Sequence, residues 1–127
     1  MNDSKDVLHS PLFQAVAGLA FESIMVTKAS SDHTNSVIVY VNPAFSNLTG
    51  YSADEVIGKT PGLLQGPKTE RGVKERLAED LKNNRTFHGD TINYRKDGST
   101  FIIEWKIAPV MDGDEVTHYV AVQRAVG

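Results

Sequence analysis

Histidine has the widest chemical reach of any side chain here, and the four histidines, His9, His33, His88 and His118, are scattered. They fall in four different expected elements, and no two stand at helical i, i+4 spacing, so no local metal site is predicted. The acidic run at 112–115 is too short for a calcium loop and lacks a later bidentate glutamate; it reads as a solvated hairpin turn. Lys68, Arg71, Lys74 and Arg76 form a basic cluster offset by Glu70 and Glu75, the pattern of an exposed helix face. The chain has no cysteine, which removes thiol nucleophiles, disulfides and cysteine-ligated zinc or iron–sulfur centres. No Gly-x-Ser-x-Gly elbow or phosphate-binding glycine loop occurs. Glu104, inside an apolar strand, is expected on a partly exposed face, paired with Lys106 or Arg124 if buried. No catalytic residue is assigned, and an enzyme is not expected.

The remaining chemistry is recognition. Hairpin pairing about Asp97-Gly98 places Asn93 and Thr91 on the same face as Phe101, Ile103, Trp105 and Ile107. Tyr119, Ala121 and Gln123 share one face of the following strand. Two amides, Asn93 and Gln123, are thereby expected over an apolar floor. An amide carries both donors and an acceptor, which suits the edge of a heteroaromatic ring. The same amides can equally bond each other, water or loop backbone.

These residues need elements to hold them. Residues 1–10 are polar and expected to fray. Residues 11–20 read as a short amphipathic helix, with Ser10 as cap and Pro11 at its first position. Residues 24–28 and 37–41 read as strands, the second an unbroken β-branched run expected to be buried on both sides; residues 30–35 form a polar loop between them. Asn42-Pro43 breaks that run and starts a short helix that stops at Gly50. Ser52 and Glu55 form a capping box. Thr69 is expected to cap a longer helix with Val73, Leu77 and Leu81 on one face. Three antiparallel strands follow, at 86–95, 100–110 and 115–124. The order predicts an α+β domain: a five-stranded antiparallel sheet with short helices on one face and an N-terminal flanking helix.

Length and charge agree. A chain of 127 residues, 40% hydrophobic, accommodates one domain and a full core. Sixteen acidic and thirteen basic residues, net −3, argue against a nucleic-acid binder. The apolar stretch at 11–26 is interrupted by Gln14, Glu22 and Ser23, and the leader lacks a basic n-region, so neither a membrane span nor a signal peptide is expected. The expected setting is cytoplasmic.

Val41-Asn42-Pro43-Ala44-Phe45, Leu48-Thr49-Gly50-Tyr51-Ser52 and Glu55-Val56-Ile57-Gly58 resemble a PAS sensor domain. So do Asn93-Tyr94-Arg95-Lys96-Asp97-Gly98, Ala108-Pro109-Val110 and Tyr119-Val120-Ala121-Val122-Gln123. The resemblance covers roughly residues 21–126, leaving 1–20 as an N-terminal extension and 21–127 as the domain. The stretch from Gly58 to Gly66 is most similar to the light-oxygen-voltage (LOV) branch, which binds flavin mononucleotide and forms a cysteinyl–flavin adduct. Here Thr60-Pro61-Gly62 stands where that branch has Asn-Cys-Arg, so Pro61 takes the place of the photochemical thiol. The two phosphate-binding arginines are matched by Gly62 and Ala78, with Arg71 or Arg76 as candidates to compensate, and one ring-edge asparagine by Ile103. Gln65, Asn93 and Gln123 are retained. Charge-assisted contacts contribute on the order of 1.5–3 kcal/mol each, so losing two weakens a flavin phosphate by roughly two to four decades.

The resemblance implies a sensory signal-transduction module acting through ligand occupancy or dimerisation, without adduct chemistry. The implied pocket set is Thr60, Gln65, Asn93 and Gln123, lined by Leu64, Ile103 and Trp105. No cofactor is required by this reading; the alternative is an adduct-less flavin sensor using FMN or FAD, in which Gln123 follows the flavin's redox state. A third reading is a ligand-free scaffold whose pocket is filled by Pro61, Leu63, Leu64, Ile103 and Trp105. The implied partners are a second copy, through the N-terminal helix and an outer sheet face of Ile92, Tyr94, Ile102, Val120 and Val122, and an effector such as a kinase or cyclic-dinucleotide enzyme. Neither nucleic acid nor membrane is expected as a partner. The chain is either a stand-alone module or part of a larger signalling protein.

Overall fold

The computed structural model describes residues 7–30 and 36–126. Most of the polar leader, His33 and nearly all of the loop expected at 30–35 lie outside the described residues. Helix α1 spans Pro11–Leu19, followed by β1 (Ser23–Lys28) and β2 (Val37–Val41). Two short helices follow, α2 (Pro43–Thr49) and α3 (Ala53–Val56), then a 3-10 turn at Pro61–Leu64 and the longer α4 (Arg71–Lys82). Strands β3 (Phe87–Tyr94), β4 (Thr100–Asp112) and β5 (Glu115–Val126) complete the chain. The strands form one antiparallel sheet in the order β2-β1-β5-β4-β3, with β5, the last strand made, at its centre.

Local chemistry accounts for the elements. The Ser10 hydroxyl accepts from Phe13 N–H at 3.1 Å and Pro11 opens α1. Gly50, at φ 82°, closes α2 in the left-handed region where a side chain would be strained. The Glu55 carboxylate accepts from Ser52 N–H at 2.8 Å and pairs with Lys96, tying α3 to the β3–β4 hairpin. Gly98 supplies the positive φ that the hairpin turn requires.

The core lies between the sheet and its helices, around Phe45, Ile38, Val56, Leu64, Phe87 and Ile103, all at most 2% exposed. Phe101, Ile103, Trp105 and Ile107 alternate inward along β4 as the period of two requires. The rings of Phe87 and Trp105 meet at 5.1 Å across β3 and β4.

Two expectations about elements are corrected. Strand β2 is an edge strand with Val37, Val39 and Tyr40 only half-buried, not a strand buried on both sides. Its Tyr40 is covered by Phe13 of α1 (5.0 Å, edge to face), so the apolar run serves a helix on the outer face as well as the core. Thr69 does not cap α4. Its hydroxyl donates to the Ile92 carbonyl at 2.7 Å and accepts from Gly66 N–H at 3.1 Å, while Glu70 takes the cap position without a side-chain bond.

Candidate functional site

A cavity of about 340 Å³ lies between the inner sheet face, the 3-10 turn and α4. The sheet supplies the floor: Asn93 and Thr91 from β3, Trp105 and Ile107 from β4, and Tyr119, Ala121 and Gln123 from β5. Thr60, Pro61, Gly62, Leu64 and Gln65 form the lip, and α4 contributes Lys74, Leu77, Ala78 and Leu81. Its size lies in the range of small-ligand pockets.

Register explains why these side chains converge. Asn93 pairs with Phe101 and Thr91 with Ile103, so both turn inward; Trp105 pairs with Gln123, which pairs in turn with Ser23. The amides do not bond each other. The Ser23 hydroxyl donates to Gln123 Oε1 at 3.0 Å across β1 and β5, leaving the amide NH₂ of Gln123 as its donating end. Asn93 is 8% exposed, and its side-chain amide has no hydrogen-bond partner among the described residues. The Ser36 hydroxyl, which also lines the cavity, is buried without a partner among the described residues. A buried hydroxyl such as that of Ser36 is costly to leave unpaired, whereas the Asn93 amide is open to the cavity.

Of the residues singled out beforehand, Thr60, Gln65, Leu64, Asn93, Trp105 and Gln123 border the cavity. Ile103 does not: it is 1% exposed within the core cluster. Leu63 packs against the core, and Pro61, Leu64 and Trp105 border the space without filling it. Neither arginine considered as a compensating cation reaches the cavity. The Arg76 guanidinium lies 4.7 Å over the Phe87 ring and donates to the His88 carbonyl at 3.0 Å, and Arg71 is not among the lining residues. Lys74, Ser36 and Thr27 line it and were missed, because strand alternation was followed only through the last three strands and the basic helix face was assigned wholly to solvent.

A latch holds the lip against the sheet edge. Besides the Thr69 bonds, Glu70 N–H donates to Thr91 Oγ1 at 2.9 Å and Lys68 N–H to Tyr94 Oη at 3.0 Å. The Tyr94 ring packs so closely on Gly66 that a Cβ there would lie 2.5 Å from it. Tyr94 therefore serves the loop and is withdrawn from the outer apolar patch where it was expected. On that outer face Ile102 and Val122 remain 44% and 36% exposed, while Ile92 and Val120 are half-buried. Beside them Glu104 is bonded by His88 at 2.7 Å and by Arg124 at 2.8 Å; these hydrogen bonds, His88 first, lower its pKa. Arg124 was an expected partner and His88 was not.

Among the described residues no group of three histidine or acidic side chains could hold a metal, and no helix is long and apolar enough to cross a membrane.

A family model for the PAS domain matches residues 22–126. The chain is 32% identical over 119 residues to the nitrogen fixation regulatory protein of Klebsiella oxytoca, covering 93% of this chain and 23% of that protein. It is 37% identical over 94 residues to blue-light-activated histidine kinase 2 of Erythrobacter litoralis, covering 74% of this chain and 27% of the kinase. The chain thus spans about a quarter of these relatives. Among solved structures, a light-oxygen-voltage domain studied with a flavin analogue superimposes with TM-score 0.83 at 32% identity, over 95% of this chain and 88% of that one. The light-oxygen-voltage domain of an Erythrobacter litoralis blue-light-activated histidine kinase gives 0.76 at 34% identity, over 84% and 96%.

Proposed function

The chain belongs to the PAS domain family, with light-oxygen-voltage domains among its relatives, and on that premise we propose that it is a sensory module whose input is a planar heteroaromatic ligand, of the flavin class, in the cavity between sheet and helices. The observation that carries this reading is the cavity itself: about 340 Å³ with two polar groups, the Asn93 amide and the Ser36 hydroxyl, that no described residue satisfies. A pocket filled by its own side chains would not leave this space.

Asn93, Gln123 and Gln65 would hold the ring edge, and Trp105, Leu64 and Ile107 would supply apolar contact. A flavin bound there supplies blue-light absorption and redox chemistry. No thiol is present to bond it, since Pro61 takes the adduct position and the chain has no cysteine. The module's own response lies in Gln123. Its Oε1 already accepts from Ser23, so a change in what the ligand donates or accepts competes with that bond and reaches β1.

We take residues 21–127 as the signalling domain and 1–20 as its extension, with no catalysis of its own. Output passes to a cytoplasmic effector and through a homodimer formed by α1 and the outer face of β4 and β5. Leu12, Val16 and Leu19 of α1 are 64–81% exposed, an apolar stripe that no described residue covers, and Ile102 and Val122 are exposed on the sheet.

Reconstitution tests the input. Purified protein incubated with FMN, riboflavin or FAD should retain a flavin absorption band after gel filtration. Gln123→Leu should weaken retention and shift the band. Protein that retains none of the three removes the flavin class, and an unchanged spectrum in the variant removes Gln123 from the site.

A further inference from the structure

Consecutive residues of β5 grip consecutive residues at the start of β1, one on each face of the sheet. On the inner face Gln123 accepts from the Ser23 hydroxyl at 3.0 Å. On the outer face the Arg124 guanidinium lies 3.8 Å from the carboxylate of Glu22, in the link between α1 and β1. Arg124 is shared with a second carboxylate. It donates to Glu104, its register partner on β4, from Nε at 2.9 Å and from Nη2 at 2.8 Å. The other oxygen of Glu104 meets Nε2 of His88, on β3, at 2.7 Å. His88, Glu104, Arg124 and Glu22 thus form one row across the outer face, from the β3 edge to the helix link.

Among these residue types only histidine changes charge between about pH 5 and pH 8. Glu104 stays ionised through that window, since the hydrogen bonds from His88 and then Arg124 lower its pKa. A neutral imidazole can keep its hydrogen on Nε2 and still donate to Glu104, so what the added proton brings is charge. The other charges around the ring do not replace this contact. Lys106 stands opposite His88 in register, and Asp90 lies two positions along the same face with the opposite sign. Arg76 of α4 reaches the His88 carbonyl rather than its ring.

We infer that this row is a pH-responsive strap on the link between α1 and β1: protonation of His88 releases part of Arg124 from Glu104 and draws it toward Glu22. An imidazolium neutralises Glu104 from one side and repels Arg124 beyond it, and the guanidinium has its second carboxylate within 3.8 Å. With His88 charged, the signs alternate along the whole row. With His88 neutral, one guanidinium serves two carboxylates. The strap therefore tightens as pH falls through the histidine range and slackens as pH rises. These side chains are solvent-exposed, which limits the effect to roughly two- to fivefold in the opening of the link. The link carries α1, so the strap sets how firmly that helix is held to the sheet. No ligand in the cavity is required.

Heteronuclear NMR of the full chain, titrated from about pH 8 to about pH 5.5, reads the strap. The ring signals of His88 give its midpoint, and the amides of Glu22 and Ser23 should move with that same midpoint. Amide exchange at residues 21–24, corrected for its intrinsic pH dependence, should slow roughly two- to fivefold over the same range. His88→Gln keeps a donor for Glu104 and does not titrate, so it should remove both responses. Arg124→Gln should leave His88 titrating and the link silent, and His9→Gln should change neither response. Circular dichroism checks that each variant folds. A link that does not respond in the unaltered chain, or a response that survives His88→Gln or Arg124→Gln, overturns the strap. A response that disappears on dilution assigns it to association between copies and overturns the strap as a property of one chain.

Discussion

Asn42 shows how much one side chain can hold. It is 1% exposed and makes four hydrogen bonds. Its Oδ1 accepts from Ile24 N–H at 2.8 Å and Phe45 N–H at 3.1 Å, and its Nδ2 donates to the carbonyls of Ala17 at 2.8 Å and Glu22 at 3.0 Å. It thus caps α2 while fastening α1 and β1 to it. In the sequence Asn42 is legible only as the residue that breaks a strand and starts a helix with Pro43; three of its four partners lie 18 to 25 positions away, beyond any local pattern. Asn42→Ala would orphan several buried backbone groups and should cost about 3 kcal/mol or more, read as a lower urea midpoint. Asn42→Asp keeps the acceptor and loses the donors, so it should preserve α2 while speeding amide exchange in α1. Equal exchange in α1 for the unaltered chain and Asn42→Asp would refute the fastening role. Ser36 and Lys74 were hidden for a related reason: nothing about an isolated serine or a lysine in a charged helix marks it as facing a cavity.

Elements were legible wherever periodicity and capping agree. The hairpin about Asp97-Gly98 and the inward row from Phe101 to Ile107 follow from a period of two and a turn that fixes register. The same reasoning brought Asn93 and Gln123 into one cavity from three-strand counting alone. It failed for β2, because an apolar run does not say whether a strand is central or an edge covered by a helix. It also failed for Thr69, whose hydroxyl has two possible uses, a cap or a cross-link to a neighbouring strand; only the fold puts the Ile92 carbonyl within 2.7 Å. That latch sets the lip of the cavity. Thr69→Val, nearly isosteric, should cost about 1–2 kcal/mol and raise hydrogen exchange at residues 66–70 well above that of the sheet. Protection of that segment equal to that of the unaltered chain would mean that Tyr94 and Thr91 hold the lip without Thr69.

At the scale of the whole molecule, the antiparallel meander of β3, β4 and β5 can be read from the chain, but the insertion of β1 beside β5 cannot, since it joins residues about a hundred positions apart. That closure decides what the outer face presents. α1 packs its Phe13 on Tyr40 and buries Ala17, yet turns Leu12, Val16 and Leu19 to solvent. A helix with an apolar stripe facing away from its own core gains nothing from that stripe as a monomer. Val122 and Ile102 expose a second apolar area on the sheet. In the proposed dimer these areas face their copies about a two-fold axis, so each altered residue acts twice. Val122→Asp should therefore shift the mass measured by light scattering from dimer to monomer at micromolar concentration, and Val16→Glu should do so independently through the helix. Burying a new carboxylate against apolar surface disfavours association, whereas the exposed side chains of the monomer tolerate the change. Unchanged mass in both variants would rule out this face as the interface. Dissociation by Val16→Glu alone would place the interface on α1 and free the sheet for another partner.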